Sequence, residues 1–352
     1  MKQIPEKMIV LQKKKGKIFF FMITFSICFF MILIVLFYQN KNTTSLPKLS
    51  VEDIVTDNGF EIYLAYDICE LSDANPWKEQ WNLTTLPVFY NTNYNNNNSN
   101  ATYDKKINIM AQKMEQLQIQ AKQFGVFNTK EPIYDTKTGI LKSDTITFSI
   151  EMCTDKIHID FHTPIALSDD TKLNTKEGAE KLLFELIDTY QYKFNWQECE
   201  PALLCGYSYE GIRKFQLHAY KKGNTLEEQL LNYHFNTAWF QTDAAGHITS
   251  IIWTKENLSQ KIGDYPIISP KKAKQLLFTK NYITTVPYCF GKNMPIVKTE
   301  MTYLHHSNNH IFMPYYKFFV QLPIEKNGMK QYGVYYTPAV EEQYLKNSTV
   351  SK

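Results

Sequence analysis

The sequence predicts an α+β fold that follows a single membrane-spanning helix. Residues 18–38 form one uncharged apolar run, long enough for a helix that crosses the roughly 30 Å hydrocarbon core of a bilayer. Residues 145–152 and 156–162 alternate apolar and polar side chains, which is typical of paired strands. Apolar residues spaced by three and four over 104–124 and 174–190 predict helices that pack on such strands.

Charged residues on the two sides of the apolar run predict its orientation. Six lysines and one acid, Glu6, precede the run, whereas only Lys41 and Lys48 follow closely. This bias favours residues 1–17 in the cytoplasm and the rest outside, in a single-pass protein of the cell membrane. A cleaved signal peptide is the alternative, but its apolar region is usually about 7–15 residues long and is followed by small residues. We therefore expect residues 18–38 to stay in the lipid bilayer as an anchor.

The composition of the external part argues against nucleic acid as a partner. The chain has a formal charge of +3, but 32 basic and 34 acidic residues remain beyond the apolar run. Arg213 is the only arginine, and bidentate recognition of phosphates and bases depends on arginine. Because the chain also lacks a phosphate loop and a dinucleotide-binding fingerprint, we expect neither nucleic acid nor a cofactor.

The cysteines of the external part are odd in number, so they cannot all pair within one chain. They are Cys69, Cys153, Cys199, Cys205 and Cys289. A Cys199–Cys205 disulfide is one interpretation, and buried unpaired thiols are the favoured one, because buried cysteine commonly behaves as a small hydrophobic residue.

The order of predicted elements divides the chain into segments. A helix followed by three strands occurs twice, about 90 residues apart, which indicates an internal repeat. In chain order, the predicted segments are a cytoplasmic tail (1–17), a transmembrane helix (18–38), a linker (39–59), an N-terminal segment of the ectodomain (60–143) with a helix over 104–124, a first α+β unit (144–255), a second α+β unit (264–340) and a tail (341–352).

The individual elements follow from the same patterns. The predicted strands are 60–66, 86–90, 145–152, 156–162, 211–220, 233–242, 247–254, 296–305, 311–322 and 332–338, and a helix is predicted to begin at Pro270 behind a Ser269 cap. The stripe of helix 104–124 is formed by Ile107, Met110, Met114, Leu117, Ala121 and Phe124. It is shorter than three heptads, which favours a core face over a coiled-coil seam.

Motifs of the second unit resemble PepSY-like extracytoplasmic modules. They are Ser269-Pro270-x-x-Ala273-x-x-Leu276-Leu277, then Pro314-Tyr315-Tyr316-x-Phe318, and last Val334-Tyr335-Tyr336-Thr337-Pro338-Ala339. The chain is most similar to the YycH/YycI type of membrane-anchored regulators from Gram-positive bacteria. The resemblance covers 264–340 and, more loosely, 144–255, but it does not extend to 39–143. The last strand lacks the aspartate that many PepSY modules carry.

This resemblance implies binding or regulation outside the cell, in some cases of a sensor kinase or a peptidase. It implies two helix-plus-antiparallel-sheet units of the PepSY/YycI type, and it supplies no site residues. We therefore expect a membrane-tethered, non-enzymatic binding or regulatory protein that contacts a partner protein of the envelope. A membrane-anchored hydrolase or a metal-binding envelope protein is the alternative. A deep cleft with converging titratable groups is typical of an enzyme, whereas a shallow aromatic face or an open sheet edge is typical of a binder.

Two groups of histidines are candidate metal ligands. His158, Asp160 and His162 share one face of a strand, because side chains repeat every second residue, and two imidazoles with a carboxylate suit Zn²⁺ or Fe²⁺. The simpler interpretation is the solvated face of an amphipathic strand. The second group lies beside a predicted turn and consists of His305, His306 and His310. There a polar turn is the favoured interpretation.

Two further stretches are candidate sites. Residues 206–211 approach the hydrolase elbow Gly-x-Ser-x-Gly, but the second glycine comes one residue too late for the tight turn. Aromatic residues near the end of the chain could form a partner surface or one face of a core. The candidates for partner binding are Tyr315, Tyr316, Phe318, Tyr335 and Tyr336.

Overall fold

The computed structural model describes residues 46–50, 74–79, 83–93, 103–134, 138–151, 154–166, 173, 175–207, 213–284, 286–304, 310–326 and 328–346. The anchor predicted at 18–38, the strand predicted at 60–66 and two candidate ligands, His305 and His306, lie outside these ranges. No helix within the described ranges is long and apolar enough to cross a membrane. The chain from Lys48 onward forms one compact unit with an α+β fold.

Four helices occur in the described part of the chain. They are α1 (Tyr103–Gln123), α2 (Lys176–Tyr190), α3 (Leu226–Phe235) and α4 (Pro270–Phe278), and 3₁₀ turns follow at Gln191–Phe194 and Glu342–Tyr344. The predicted start of α4 is confirmed, because the Ser269 hydroxyl accepts a hydrogen bond from the Lys272 N–H and Pro270 begins the helix. Behind α1, Gly125 has a φ of 80°, which suits a helix C-terminus.

Within the described ranges, antiparallel pairing joins the strands into three sheets. The strands are β1 (Thr85–Tyr90), β2 (Ile133–Tyr134), β3 (Thr138–Lys142), β4 (Ile146–Glu151), β5 (Lys156–Ile165), β6 (Cys199–Tyr207), β7 (Arg213–Lys221), β8 (Asn236–Thr242), β9 (Ile248–Lys255), β10 (Lys261–Pro266), β11 (Ile283–Thr284), β12 (Ile296–Tyr303), β13 (Ile311–Phe312), β14 (Pro314–Lys326) and β15 (Met329–Pro338).

The large sheet has eight strands in the order β2-β3-β4-β5-β9-β8-β7-β6. Its predicted β4–β5 hairpin is confirmed, with Ile150 opposite Ile157. The apolar side chains of this hairpin belong to a core that also contains Leu117 of α1 and Leu186 of α2. Alternation along β4 and β5 therefore gives the sheet one apolar face, which α1 and α2 cover.

The stripe of α1 is a core face, as the sequence favours. Leu117 and Ala121 are almost fully buried in the core of the large sheet, and Phe124 contacts the ring of Phe148 edge-on, with ring centroids 5.8 Å apart. The stripe weakens toward the N-terminal end, where Ile107 is exposed.

A four-stranded sheet in the order β11-β15-β14-β12 carries the second core. This core includes Phe318 and Val320 of β14 together with Leu277 of α4. Two tyrosine hydroxyls at the core find backbone partners: that of Tyr316 donates to the Ile268 carbonyl at 2.7 Å, and that of Tyr335 donates to the Tyr288 carbonyl at 2.6 Å.

A three-stranded sheet, β10-β1-β13, connects distant parts of the chain. The predicted segment 60–143 supplies β1 to this small sheet, and it supplies α1, β2 and β3 to the large sheet. Its described residues are thus shared between two sheets, since their apolar side chains lie in both cores.

Five of the described strands (β2, β3, β6, β10 and β11) and one described helix were not predicted. The helix is α3, whose last residues lie in the strand predicted at 233–242; the observed strand, β8, begins at Asn236. The cap at Thr225 explains the difference, because its hydroxyl accepts a hydrogen bond from the Glu228 N–H at 3.1 Å. The longest of the five strands is β6, where a continuous apolar run contains Pro201 and shows no alternation.

The Cys199–Cys205 disulfide interpretation is wrong. Both residues lie in β6, six positions apart, so their Cα atoms are separated by about 20 Å, whereas a disulfide requires less than about 7 Å. Cys199 is a free thiol that donates to the Gln191 side-chain oxygen at 3.8 Å, and burial raises its pKa to about 12.

Within the predicted linker 39–59, Leu49 is docked on the folded unit. Its side chain is 4% exposed, and it forms a parallel bridge with Leu345. The Leu49 N–H donates to the Tyr344 carbonyl at 2.7 Å, and the Lys346 N–H donates to the Leu49 carbonyl at 2.8 Å. The predicted linker and the predicted tail 341–352 therefore meet in the structure.

Candidate functional site

A polar cavity of about 620 Å³ lies where the end of β1 meets α1, the β4–β5 turn and the β9–β10 connection. This volume falls within the range of ligand pockets, roughly 300–1,000 Å³. Six lining residues are Asn or Gln and only Ile109 is aliphatic; the full lining is Tyr90, Asn91, Thr92, Asn93, Ile109, Gln112, Lys113, Gln116, Asp155, Asn257, Gln260 and His310.

Backbone pairing at the end of β1 fixes one wall of the cavity. The Tyr90 N–H donates to the Gln260 carbonyl at 2.9 Å, and the Asn91 N–H donates to the His310 carbonyl at 3.0 Å. The chain then turns, because the Asn91 side-chain oxygen accepts a hydrogen bond from the Asn93 N–H at 2.9 Å. This Asx turn places Asn93 beside α1, where it is 5% exposed.

Lys113 of α1 is buried in the cavity wall with all its donors used. Its ammonium group donates to the Asp155 carboxylate at 2.6 Å, to the Thr154 carbonyl at 2.5 Å and to the Asn93 side-chain oxygen at 3.4 Å. A lysine ammonium has three N–H donors, so these contacts saturate it. The Lys113 side chain is 8% exposed, and burial of a charge at this depth requires such pairing.

Asn93 connects two carboxylates in the same cluster. Its side-chain amide donates to Asp155 Oδ2 at 3.0 Å and to Glu256 Oε2 at 3.3 Å. Asp155 Oδ2 also accepts a hydrogen bond from the Asn257 N–H at 3.3 Å. Asp155 thus receives hydrogen bonds at both oxygens, and the Lys113 cluster, formed by Asn93, Lys113, Asp155 and Glu256, is bonded internally.

The charged groups of the polar cavity already contact each other and neutral partners, and these contacts limit the chemistry that the cavity can perform. A general acid or base must reach a proton of the substrate, and a nucleophilic amine must be free of a strong ion pair. The Lys113 ammonium and the Asp155 carboxylate are held by each other and by neutral partners. They hold the cavity wall together and are not available to a ligand.

Sequence reasoning missed the Lys113 cluster. One signal was present, because Lys113 and Gln120 interrupt the apolar stripe of α1 on its buried side, where they are 7% and 2% exposed. A lysine within such a stripe indicates a buried charge that needs a partner. The partner itself, Asp155, lies 42 positions further along the chain, and local patterns do not reveal it.

The candidate metal ligands of β5 share a face, as the alternation predicts. Ile157 and Ile159 are fully buried, whereas Asp160 and His162 are exposed on the opposite face. Both ring nitrogens of His162 are engaged, with the Thr147 hydroxyl and the Asp144 carbonyl, each at 2.9 Å. His158, Asp160 and His162 do not converge on one point, and no group of three potential ligands occurs in the described ranges.

The remaining histidine candidate and the hydrolase-like stretch have other places in the fold. His310 lines the polar cavity, and its ring contacts that of Tyr90 edge-on at a centroid distance of 5.7 Å. Gly206 lies in β6, which pairs antiparallel with β7 so that Tyr207 is opposite Arg213. A strand follows β6 where a hydrolase elbow requires a helix, and residues 208–211 of the elbow-like stretch lie outside the described ranges.

The aromatic candidates for partner binding are buried. Tyr316, Phe318 and Tyr335 are at most 2% exposed within the second core, and Tyr315 is 5% exposed. Tyr336 is half-buried against the cluster of Phe319, Tyr332 and Val334. The prediction that these residues form an exposed partner surface is therefore wrong. Both faces of β14 and β15 carry buried apolar side chains.

An open sheet edge and two exposed aromatic residues mark a second surface. β6 is the last strand of the large sheet, so its outer edge pairs with no strand in the described part of the chain. Helix α2 packs across β6 and β7. Phe184 of α2 is 55% exposed, and Tyr192 of the following 3₁₀ turn is 70% exposed. We call β6, Phe184 and Tyr192 the edge surface.

His218 of β7 is a buried titratable group, and it lies opposite Ala202 of β6. Its ring stacks on Trp239 at a centroid distance of 4.2 Å, and it also contacts Tyr233 of α3. Neither ring nitrogen has a hydrogen-bond partner among the described residues. Burial, together with the neighbouring His234, lowers the pKa of His218 to about 3.

No protein-family model and no curated protein matches the chain.

Proposed function

We propose that this chain is a membrane-tethered extracytoplasmic binding and regulatory protein without catalytic activity. It acts through contacts with a partner protein of the cell envelope, its anchor is the apolar run 18–38, and its α+β units are of the PepSY/YycI-like type. The single observation that carries the proposal is the edge surface, where the open strand β6 is covered on one face by α2, the helix that carries the exposed Phe184.

Strand addition is the recognition mode that this surface supports. An open edge presents backbone N–H and C=O groups to which an extended segment of a partner can pair. Exposed aromatic residues supply the apolar contact that such backbone pairing lacks, and aromatic residues are enriched at interfaces. Pro201 is compatible with an edge strand, but it supplies no N–H, so an added strand would find one donor fewer there.

The alternative of an anchored hydrolase draws less support from the same fold. Among the described residues, the polar cavity comes closest to a catalytic cleft. Its two charged groups, Lys113 and Asp155, form an ion pair with each other and are therefore not available for catalysis. A substrate would have to break a buried pair before either group could act on it.

Site-specific photocrosslinking in native membranes tests the proposal. Phe184 is replaced by p-benzoylphenylalanine in the full-length chain, and Ile119 of α1, which is 52% exposed on another helix, is the matched control position. We expect a protein adduct from position 184 and none from position 119, identified by mass spectrometry. Adducts with lipids alone, or equal protein adducts from both positions, would contradict the proposed partner contact.

A further inference from the structure

The polar cavity presents neutral hydrogen-bonding groups once its internal contacts are accounted for. Gln112 and Gln116 lie one turn apart on α1, and Gln260 lies in the β9–β10 connection beside Tyr90. The side chains of these three residues make no hydrogen bond to any described residue. Each carboxamide therefore offers one acceptor and two donors to whatever enters the cavity.

Charged ligands match this lining poorly. An anion needs a cationic partner, and the three donors of the Lys113 ammonium are already used. A cationic ligand needs a carboxylate, and both oxygens of Asp155 already accept hydrogen bonds. Displacing these contacts would leave a buried charge without its partner, which costs far more than a neutral hydrogen bond returns.

A ligand for this cavity must also be polar over most of its surface. Ordinary small-molecule pockets are lined mainly by apolar side chains with a few polar groups, whereas this lining has the reverse composition. Hydroxyl groups both donate and accept, so a hydroxyl-bearing ring can pair with carboxamides on several sides at once. The Tyr90 ring at the cavity, 41% exposed, offers an apolar face against which the C–H face of such a ring can lie.

From this lining we infer that the polar cavity binds a neutral saccharide. Gln112, Gln116 and Gln260 would hold the sugar by hydrogen bonds, and the Tyr90 ring would lie against one face of the sugar. The Lys113 cluster holds the wall in place and does not touch the sugar. This site is separate from the edge surface, so it adds a second ligand to the proposed function and does not depend on it.

Titration of the full-length chain in lipid nanodiscs tests the inference. The probes are the neutral sugars chitotetraose and maltotetraose, with a terminally blocked alanine tetrapeptide for comparison, followed by saturation-transfer NMR and calorimetry. We expect at least one sugar to bind and the double variant Gln112→Ala/Gln116→Ala to weaken that binding at least about tenfold, because two hydrogen bonds are lost. The control is Gln118→Ala, an exposed glutamine of the same helix outside the cavity, which should leave affinity unchanged.

Three outcomes would overturn the inference. They are the failure of both sugars to bind, binding of the tetrapeptide instead of a sugar, and equal loss of affinity in the double variant and in Gln118→Ala. Gln112 and Gln118 are exposed and Gln116 is half-buried, so circular dichroism should show unchanged folding in all the variants. A negative result in this titration does not affect the photocrosslinking test of the edge surface. The saccharide site and the partner contact can therefore be refuted independently.

Discussion

Lys113 stabilises the fold through contacts that a buried ammonium requires. It joins α1 to the β4–β5 turn, with side chains of 8% and 13% exposure on the two sides of the ion pair. Removing one partner of a buried pair leaves the other charge without compensation, which is far more damaging than removing a surface pair.

The variant Lys113→Met should therefore lose about 3–5 kcal/mol of unfolding free energy, since Asp155 and the Thr154 carbonyl lose their donor. Urea unfolding followed by circular dichroism measures this loss. The control is Lys130→Met, which breaks an exposed pair with Asp144 and should change stability little. Equal effects of the two substitutions would show that the Lys113 cluster does not stabilise the fold.

His218 predicts a pH dependence of stability with a defined sign. Its pKa in the folded state is about 3, below the value of about 6.5 in an unfolded chain. The unfolded state therefore binds more protons between these values, so stability falls as the pH is lowered from about 6.5 toward 3. His234, Tyr233 and Tyr220 are the titratable groups around the ring.

Substituting His218→Phe should remove this dependence, because Phe can stack on Trp239 without a titratable nitrogen. Between pH 7 and pH 5, the wild-type protein should lose up to about 2 kcal/mol of unfolding free energy through His218. The variant should not show this loss. Urea unfolding at the two pH values gives the difference. The exposed His162→Gln is the control, and a wild-type pH slope in the His218→Phe variant would contradict the assignment.

At the scale of elements, β15 packs so closely that one position admits no side chain. A Cβ atom on Gly333 would lie 2.6 Å from Val286 Cγ2 and 3.1 Å from Leu322 Cδ2. The two contacts come from a preceding loop and from the neighbouring strand β14, so the glycine allows three segments to meet in the second core.

Gly333→Ala should consequently cost about 1–3 kcal/mol, the usual range for overpacking a close-packed core. Thermal and urea unfolding measure the change. Gly291→Ala is the matched control, because a Cβ there would meet Met294 Sδ at an ordinary 3.7 Å. If both alanines are tolerated equally, the close approach at Gly333 is not a constraint.

The elements differ in how well the sequence predicts them, for physical reasons. The β4–β5 hairpin follows from strict alternation, and α4 follows from its Ser269 cap and Pro270. Helix α3 escapes prediction because Tyr233 and Phe235 suit a strand as well as a helix end. β6 escapes because both its faces are partly buried, which removes the alternation.

The polar cavity could not be predicted at all, because its walls come together only through the tertiary fold. Asn93, Lys113, Asp155 and Asn257 are separated along the chain by up to 164 positions. The Asx turn and the lysine within a helical stripe are local signals, but their meeting depends on strand order. The three glutamines that we assign to ligand binding carry no distinguishing local pattern.

For the whole molecule, α3 is the element that couples the two cores. Its Leu230 and Phe235 belong to the second core, while the helix itself packs on β7 and β8 of the large sheet. The Phe235 ring lies 5.3 Å from that of Tyr303 and 5.0 Å from that of Phe312. Loss of packing around α3 should reach both sheets.

We therefore expect the folded unit to unfold in one transition, with Phe235→Ala lowering its stability by about 3–5 kcal/mol without splitting that transition. Coincident curves from tryptophan fluorescence and far-ultraviolet circular dichroism are the measurement. Phe278→Ala, at a position 57% exposed, is the control and should have a small effect. Two separate transitions in the wild-type protein would show that the cores are independent.

The pairing of Leu49 with residues 344–346 has a mechanical consequence. If the chain is held at its N-terminal side, a pulling force enters the described part of the folded unit near Leu49, and the first attachment that the force meets among the described residues is the bridge to Leu345. Two backbone hydrogen bonds resist far less load than the ladders of the sheets behind them. Under tension the pairing of Leu49 with residues 344–346 should break first. The N-terminal part of the chain would then lengthen while the sheets stay folded.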